Sequence, residues 1–221
     1  MHLSELKGLL PEKGYAVLAQ SITELRPAQE KAIASGLLEG KNLVVCTPTA
    51  SGKTLIAELA IQKTVLEGRG KALYIVPLKA LAREKYKDFR ERYKGVFSVG
   101  ISVGDLDASD TYLSRYEVII TTSEKLDSLI RHKTPWIGQV RLVIADEIHL
   151  LNDHGRGPTL EIVLTILREI AHDMQILGLS ATIGNPEELA EWLDAGLVQD
   201  SWRPVELKRG VLFGREIEFV E

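Results

Sequence analysis

The segment Thr47–Thr54, which reads TPTASGKT, places small residues, a lysine and a threonine between two regular elements. The apolar run Leu43–Cys46 precedes it, and a stretch with helical periodicity follows it. This order points backbone N–H groups and a helix N-terminus at one place, an arrangement that binds phosphate groups. The segment therefore predicts a nucleotide-binding loop, although Thr47 stands where the usual G-x-x-x-x-G-K-S/T pattern begins with glycine. An ordinary strand-to-helix turn with a capping hydroxyl is the alternative.

The residues of this loop divide between phosphate binding and metal binding. Lys53 is expected to reach the β- and γ-phosphates of ATP or ADP, and the Thr54 hydroxyl to ligate a phosphate-bound Mg²⁺. The other nucleotide contacts predicted from the loop are Thr49, Ala50, Ser51 and Gly52.

Two adjacent acids, Asp146 and Glu147, end the apolar run Val140–Ala145. An acid at the tip of a strand parallel to the loop strand can hold Mg²⁺ through water, and its neighbour can orient the attacking water. We therefore assign the metal role to Asp146 and the general-base role to Glu147. His149 follows at once and is added to the catalytic group because of its place beside Glu147.

A third polar segment, Ser180–Thr182, follows the apolar run Gln175–Leu179. The hydroxyl groups of Ser180 and Thr182 can hydrogen-bond the His149 ring or the Glu147 carboxylate. Such bonds would couple the γ-phosphate site to neighbouring loops. Taken alone, this tripeptide would more often be a helix cap.

Two further loops are candidates for nucleic-acid contacts because they combine helix N-termini with polar side chains. One contains Lys79 and Ala80, and the other opens a helix with Thr122, Ser123, Glu124 and Lys125. The basic residues on the helix that follows Lys79 are better interpreted as a solvated face, because acidic residues dilute their charge.

Upstream of the first strand, Gln29 opens a helix predicted to run through Leu38. A glutamine amide offers a donor and an acceptor, which is enough to read the edge of adenine. Surface glutamines are common, so Gln29 is weak evidence by itself.

Apolar runs alternate with helical patterns along most of the chain, which predicts an α/β fold with a mostly parallel sheet and helices on both faces. In such sheets ligands gather at the carboxyl ends of the strands, where all of these loops fall. We divide the chain into an N-terminal segment (residues 1–40), a nucleotide-binding domain (41–200) and an exit segment (201–221). The alternating tail from Val205 onward resembles a strand pair.

Composition and net charge limit the classes of function that this chain can have. The chain has 221 residues, 45% of them hydrophobic and 26% charged, with a formal charge of −4. This charge argues mildly against a generic nucleic-acid coat but does not exclude a local binding strip. The sequence predicts no membrane role and, by default, a cytoplasmic location. The single cysteine, Cys46, is expected to be buried and inert, and His132, His154 and His172 show no metal-ligand spacing.

The order of these motifs resembles that of the DExH-box helicases of superfamily two. Segments between the motifs are similar to the archaeal Ski-type DNA helicases of the Hel or Hjm group, and they are Val103–Asp105, Asp127–His132, Arg156–Glu161, Gly184–Trp192 and Ser201–Pro204. The resemblance implies a RecA-like domain of an ATP-driven enzyme that unwinds DNA in the 3′-to-5′ direction at stalled or branched replication forks. It also implies two partners, single-stranded or forked DNA and a second RecA-like domain.

Two departures from the family pattern affect function. Leu25 and Arg26 stand where the family often carries an aromatic residue beside the glutamine motif. Arg26 is the candidate to replace that residue, by stacking its planar guanidinium on the adenine base. The second RecA-like domain, which supplies arginine fingers and half of the DNA track in the family, is absent from this sequence. We therefore expect the chain to bind nucleotide but to hydrolyse it slowly and not to unwind DNA alone.

Two other functions stay open at this stage. An RNA-directed DExH motor would carry the same motifs, because these motifs grip the strand backbone. A nucleotide-dependent nucleic-acid-binding module that never translocates is the second alternative. The general base Glu147 argues against the module, which would not need it.

Overall fold

The computed structural model describes residues 1–104, 110–171, 173–205, 209–214 and 216–220. Asp105, in one of the segments that carry the resemblance, and His172 lie outside the described residues. Parts of the predicted exit segment 201–221 lie outside them as well.

A parallel sheet forms the centre of the described chain. It contains seven strands in the order β3-β4-β2-β5-β6-β1-β7, and each neighbouring pair is parallel. The strands are β1 Leu43–Cys46, β2 Lys71–Val76, β3 Val99–Ser102, β4 Val118–Thr122, β5 Val140–Asp146, β6 Gln175–Ser180 and β7 Gly196–Gln199. Because β1, β4 and β6 are buried along their whole length, their sequences are continuous apolar or small runs rather than alternating ones.

Helices cover both faces of this sheet, as the sequence predicted. They are α1 Glu12–Leu18, α2 Pro27–Ala34, α3 Lys53–Leu66, α4 Lys79–Arg92, α5 Ser123–Arg131, α6 Gly157–Ile170 and α7 Pro186–Trp192. One apolar core contains side chains of α3 and α4, and the other contains side chains of α5, α6 and α7. Neighbouring strand residues such as Val44 and Val45 belong to opposite cores, because successive side chains of a strand point to opposite faces.

Some element boundaries differ from those predicted. The helix expected to run through Leu38 ends at Ala34, because Gly36 adopts a left-handed conformation with φ of 99°. The strand expected from Phe97 begins at Val99, since Phe97 still bonds back to Tyr93 at the end of α4. The edge strand β7 was not predicted as a strand. It is four residues long and only Val198 is buried, so its apolar run is limited to Leu197 and Val198.

The strand register brings the predicted loops to one edge. Cys46 of β1 pairs with Ser180 of β6, and Leu179 of β6 pairs with Asp146 of β5. Further along the sheet, Val76 of β2 pairs with Thr122 of β4. The segments that follow β1, β2, β4, β5 and β6 therefore lie side by side at the carboxyl edge.

After the sheet, a strand pair forms within the exit segment. Strands β8 (Arg209–Phe213) and β9 (Glu216–Val220) pair antiparallel, which confirms the strand pair expected from the alternating tail. Phe213 is 88% exposed, so this pair contributes little to the core around the main sheet. Within the described residues, no helix combines the length and the apolar character needed to cross a membrane.

Candidate functional site

The loop between β1 and α3 has the shape of a phosphate cradle. Ala50 and Gly52 adopt left-handed conformations, with φ of 66° and 92°. A Cβ atom on Gly52 would meet the Gln29 amide nitrogen at 2.5 Å, so a larger residue would displace that side chain as well as adopt an unfavourable backbone conformation. Thr47, at the position of the missing glycine, is buried and its hydroxyl lies 2.7 Å from that of Ser51. This bond explains how a threonine fits the loop.

Lys53 begins α3 and folds back over the loop. Its ammonium donates hydrogen bonds to the carbonyl oxygens of Thr47 at 3.0 Å and Pro48 at 3.4 Å. Burial lowers the pKa of Lys53, while Glu147 and Asp146 oppose this shift. The side chain predicted to contact phosphates therefore lies in the loop, close to both acids, and its partners are carbonyl groups that phosphate oxygens could replace.

Two residues from the start of α2 hold the opposite side of the loop. The Gln29 amide nitrogen donates to the Gly52 carbonyl at 3.0 Å, and its oxygen accepts the Arg26 backbone N–H at 2.8 Å. The Arg26 guanidinium donates to the Ala50 carbonyl at 2.6 Å. Sequence reasoning placed both residues at the nucleotide, and both touch the loop that would hold it. Their contact with a base stays a prediction.

Trp202 was missed as a neighbour of this site. The Arg26 guanidinium lies 5.3 Å from the centre of the Trp202 ring, within the range of a cation–π contact. Asp200 positions this tail by accepting the Trp202 backbone N–H and by pairing with Lys31 of α2. No local signal could have linked Trp202 to Arg26, because the chain separation is large.

The two acids lie at the carboxyl end of β5, where Asp146 is the last strand residue and Glu147 follows it. Asp146 accepts the Tyr74 hydroxyl at 2.9 Å and the Glu147 backbone N–H at 3.1 Å. Glu147 has a left-handed backbone with φ of 53°, which is unfavourable for a residue other than glycine, asparagine or aspartate. Such strain is often found at functional positions. Burial, followed by the charge of Asp146, raises the pKa of Tyr74, so this hydroxyl stays a neutral donor.

His149 connects the acids to the segment after β6. Its Nδ1 atom lies 3.4 Å from the Glu147 carboxylate and 3.5 Å from the Ser180 hydroxyl. The contact expected between Ser180 and the His149 ring is therefore present, at the long end of hydrogen-bond distances. Thr182 lies two residues further on with an exposed side chain. The coupling role of both hydroxyl residues stays a prediction.

The oxygen atoms expected to meet Mg²⁺ fit that ion. The Thr54 hydroxyl and the Asp146 carboxylate are the oxygen ligands that Mg²⁺ prefers, and the Thr54 oxygen already accepts a cation, the Lys85 ammonium, at 2.9 Å. Within the described residues, no group of three histidine, cysteine or acidic side chains is arranged to hold a metal.

Lys85 was not predicted as a residue of this site, although its spacing in the sequence indicates that it faces inward. It lies three residues after Ala82 and four before Phe89, the two buried residues of α4, and so belongs to the inner face of that helix. The charged composition of α4 conceals this position.

The two candidate nucleic-acid loops differ in exposure. Lys79 and Ala80 are exposed at the first turn of α4. Thr122, Ser123 and Lys125 are buried, and Glu124 is half-buried. The Thr122 hydroxyl caps α5 by accepting the Lys125 backbone N–H at 3.4 Å.

Lys125, one of the residues predicted to contact nucleic acid, does not expose its ammonium to solvent in this structure. The side chain is 1% exposed, and its ammonium pairs with the Asp110 carboxylate at 3.2 Å. Contacts through the backbone at the start of α5 stay a prediction.

Comparisons with known proteins agree with this site. The family described as DEAD/DEAH box helicase matches residues 26–189. The ATP-dependent DNA helicase Hel308 of Pyrococcus abyssi is 50% identical over 214 residues, covering 96% of this chain and 28% of the relative. The Hel308 protein of Methanocella arvoryzae is 55% identical over 204 residues, covering 90% of this chain and 27% of the relative. The chain thus spans between a quarter and a third of the length of these relatives.

Among solved structures, the DUF1998 helicase MrfA bound to DNA matches with a TM-score of 0.73 and 27% identity, covering 87% of this chain and 30% of that one. The fold is accordingly the RecA-like fold of helicase motor domains. The family match extends from Arg26 to Leu189 and includes the phosphate loop, both acids and the segment Ser180–Thr182. The chain therefore belongs to the DEAD/DEAH box helicase family.

Proposed function

We propose that this chain is the ATP-binding motor domain of an ATP-dependent DNA helicase. The observation that carries the proposal is one arrangement at the carboxyl edge of the sheet. The phosphate loop after β1 lies two strands from the acids after β5, and the charges of Asp146 and Glu147 act on Lys53 inside that loop. A cation for phosphates and acids for a metal and a water are thus held within one site.

Each residue of this site has a defined task in the proposal. Lys53 neutralises the β- and γ-phosphates, and the backbone N–H groups of Ser51 and Gly52 line the cradle. Glu147 orients the attacking water and accepts its proton. Through their contact, His149 and Ser180 would transmit to the segment after β6 whether the γ-phosphate site beside Glu147 is occupied. Gln29 and Arg26 lie where the adenine would bind.

Mg²⁺, bound with the nucleotide, would neutralise the charge that develops on the transferred phosphate. Thr54 would hold the ion directly, and Asp146 would hold it through water. Tyr74 keeps Asp146 in place by donating to its second oxygen.

The nucleic acid in this proposal is DNA. The similar relatives are named as DNA helicases, and the matched structure of MrfA is described as bound to DNA. Lys79, Ala80 and the first turn of α5 are the proposed contacts. We further propose 3′-to-5′ movement at stalled or branched forks in the cytoplasm, with a second RecA-like domain completing the motor.

Hydrolysis by the chain alone should be slow. In related phosphate-loop enzymes an arginine finger contributes roughly 10³ to 10⁵ in rate. In this proposal the second RecA-like domain supplies that group. The chain should therefore bind nucleotide readily while turning it over slowly with or without DNA.

The experiment combines binding and turnover of the 221-residue chain. Fluorescent ADP should bind saturably in the presence of Mg²⁺, and ATP should displace it. Brisk, DNA-stimulated ATP turnover by this chain would contradict the need for a second domain. For the longer protein, competition between single-stranded DNA and RNA tests the substrate. Preference for RNA would replace DNA helicase with an RNA-directed motor.

A further inference from the structure

We propose that Lys85 is a positioning residue that holds the Thr54 hydroxyl in the nucleotide-free site and competes with Mg²⁺ for it. This inference rests on the proposed function, since it concerns the same nucleotide site. It concerns a residue of α4 that belongs to neither the phosphate loop nor the acid pair.

The contact that carries the inference is direct. The Lys85 ammonium donates to the Thr54 hydroxyl oxygen at 2.9 Å. This is the oxygen atom proposed as a ligand of Mg²⁺. An ammonium group and a divalent cation on one small oxygen atom would repel each other strongly in a partly buried site. Lys85 must therefore give up this bond when Mg²⁺ binds.

The surroundings of Lys85 explain why a cation rests there in the absence of metal. Its ammonium lies 5.8 Å from the centre of the Tyr74 ring, and the Tyr74 hydroxyl donates to Asp146. The charge of Lys85 also stabilises the buried carboxylate of Glu58 one turn along α3. Both proposed metal ligands, Thr54 and Asp146, are thus linked to the position of Lys85 before nucleotide binds.

The experiment distinguishes two roles of Lys85, competition with Mg²⁺ for the Thr54 hydroxyl and support of the local structure. Fluorescent ADP is titrated into the 221-residue chain in excess EDTA and in saturating Mg²⁺, and the ratio of the two dissociation constants is compared between variants. Lys85→Met removes the charge and keeps the aliphatic length. Its Mg²⁺ enhancement ratio should rise at least about threefold, because the bound metal no longer faces a second cation. A structural defect would weaken binding equally in both conditions and leave the ratio unchanged.

Matched variants complete the design. Lys87→Met, on the exposed face of the same helix, should keep the wild-type ratio. Lys85→Gln, which is neutral but can still donate a hydrogen bond, replaces Lys85→Met if that variant fails to fold. A rise below threefold, or a fall, overturns the inference provided that the wild-type chain binds ADP. Absence of ADP binding by the wild-type chain overturns the proposed function instead.

Discussion

The phosphate loop and the two candidate nucleic-acid loops lie at the same edge of one sheet, but they hold their polar groups in different ways. In the phosphate loop, Lys53, Arg26 and Gln29 all donate to loop carbonyl groups. At the start of α4, Lys79 is exposed to solvent, whereas at the start of α5 Lys125 is buried and paired with Asp110.

The two kinds of loop differ in whether side chains or backbone N–H groups supply the positive charge that would bind a ligand. Lys53 donates to carbonyl groups that phosphate oxygens could replace, and Arg26 and Gln29 donate to loop carbonyl groups on the side proposed for the adenine. The nucleic-acid loops offer few free charges and depend more on helix N-termini, which carry partial positive charge from their backbone N–H groups. Nucleotide affinity should therefore respond strongly to single side chains, and nucleic-acid affinity only weakly.

The largest effect is expected from Glu147→Gln, which removes the general base but keeps the shape of the side chain. ATP turnover in the longer protein that includes a second RecA-like domain should fall by about 10²- to 10⁴-fold. Fluorescent ADP should bind with nearly unchanged affinity. The exposed residue Glu84 of α4 gives a control, Glu84→Gln. Turnover within a factor of a few of the wild type would remove Glu147 from its assigned role.

Lys125→Met should act on stability rather than on nucleic-acid binding. It leaves the carboxylate of Asp110 without its buried ion pair, and losing one partner of such a pair costs about 3 kcal/mol. Urea unfolding should show this loss, while Lys79→Met should unfold like the wild type. If Lys125→Met is as stable as the wild type and binds DNA more weakly, then Lys125 contacts DNA through its charge, as proposed for Lys79, despite its burial.

Gln29→Ala tests whether Gln29 contacts the adenine base or only supports the phosphate loop. It removes the donor to the Gly52 carbonyl and, in the proposed function, a contact with adenine. ADP affinity should fall about tenfold, in line with the loss of one or two buried hydrogen bonds. GDP affinity should fall less, since only the adenine contact depends on the base. Equal losses for ADP and GDP would mean that Gln29 supports the loop and does not read the base.

The smallest effect is expected from Lys79→Ala. Removing this exposed lysine, a proposed contact to a DNA phosphate, should weaken DNA binding by the longer protein about threefold. The slope of log binding constant against log salt concentration should become shallower by about one unit. The loss should be the same for different DNA sequences. Lys87→Ala, on the exposed face of the same helix, serves as the control for charge alone. Identical losses for both variants would show that α4 attracts DNA through its overall charge rather than through its first turn.

Local pattern was sufficient to predict the sheet and the phosphate loop, because both depend on short runs of the chain. The edge strand β7 was missed because it is short and half-exposed. The contacts of Lys85 with Thr54, of Tyr74 with Asp146 and of Arg26 with Trp202 join distant segments. No local rule specifies such pairs. The burial of Lys125 could not be predicted for the same reason, since its partner Asp110 belongs to another loop.

The central claim is that Thr47–Thr54 binds the phosphates of a nucleotide through Lys53. The most direct measurement is equilibrium binding of fluorescent ADP in Mg²⁺ to the wild-type chain and to Lys53→Ala, with Lys87→Ala as the control. The account predicts saturable binding by the wild type and the control, and loss of binding by at least about 100-fold in Lys53→Ala, because the buried phosphate charge loses its cation. Equal affinity in all three proteins would contradict it.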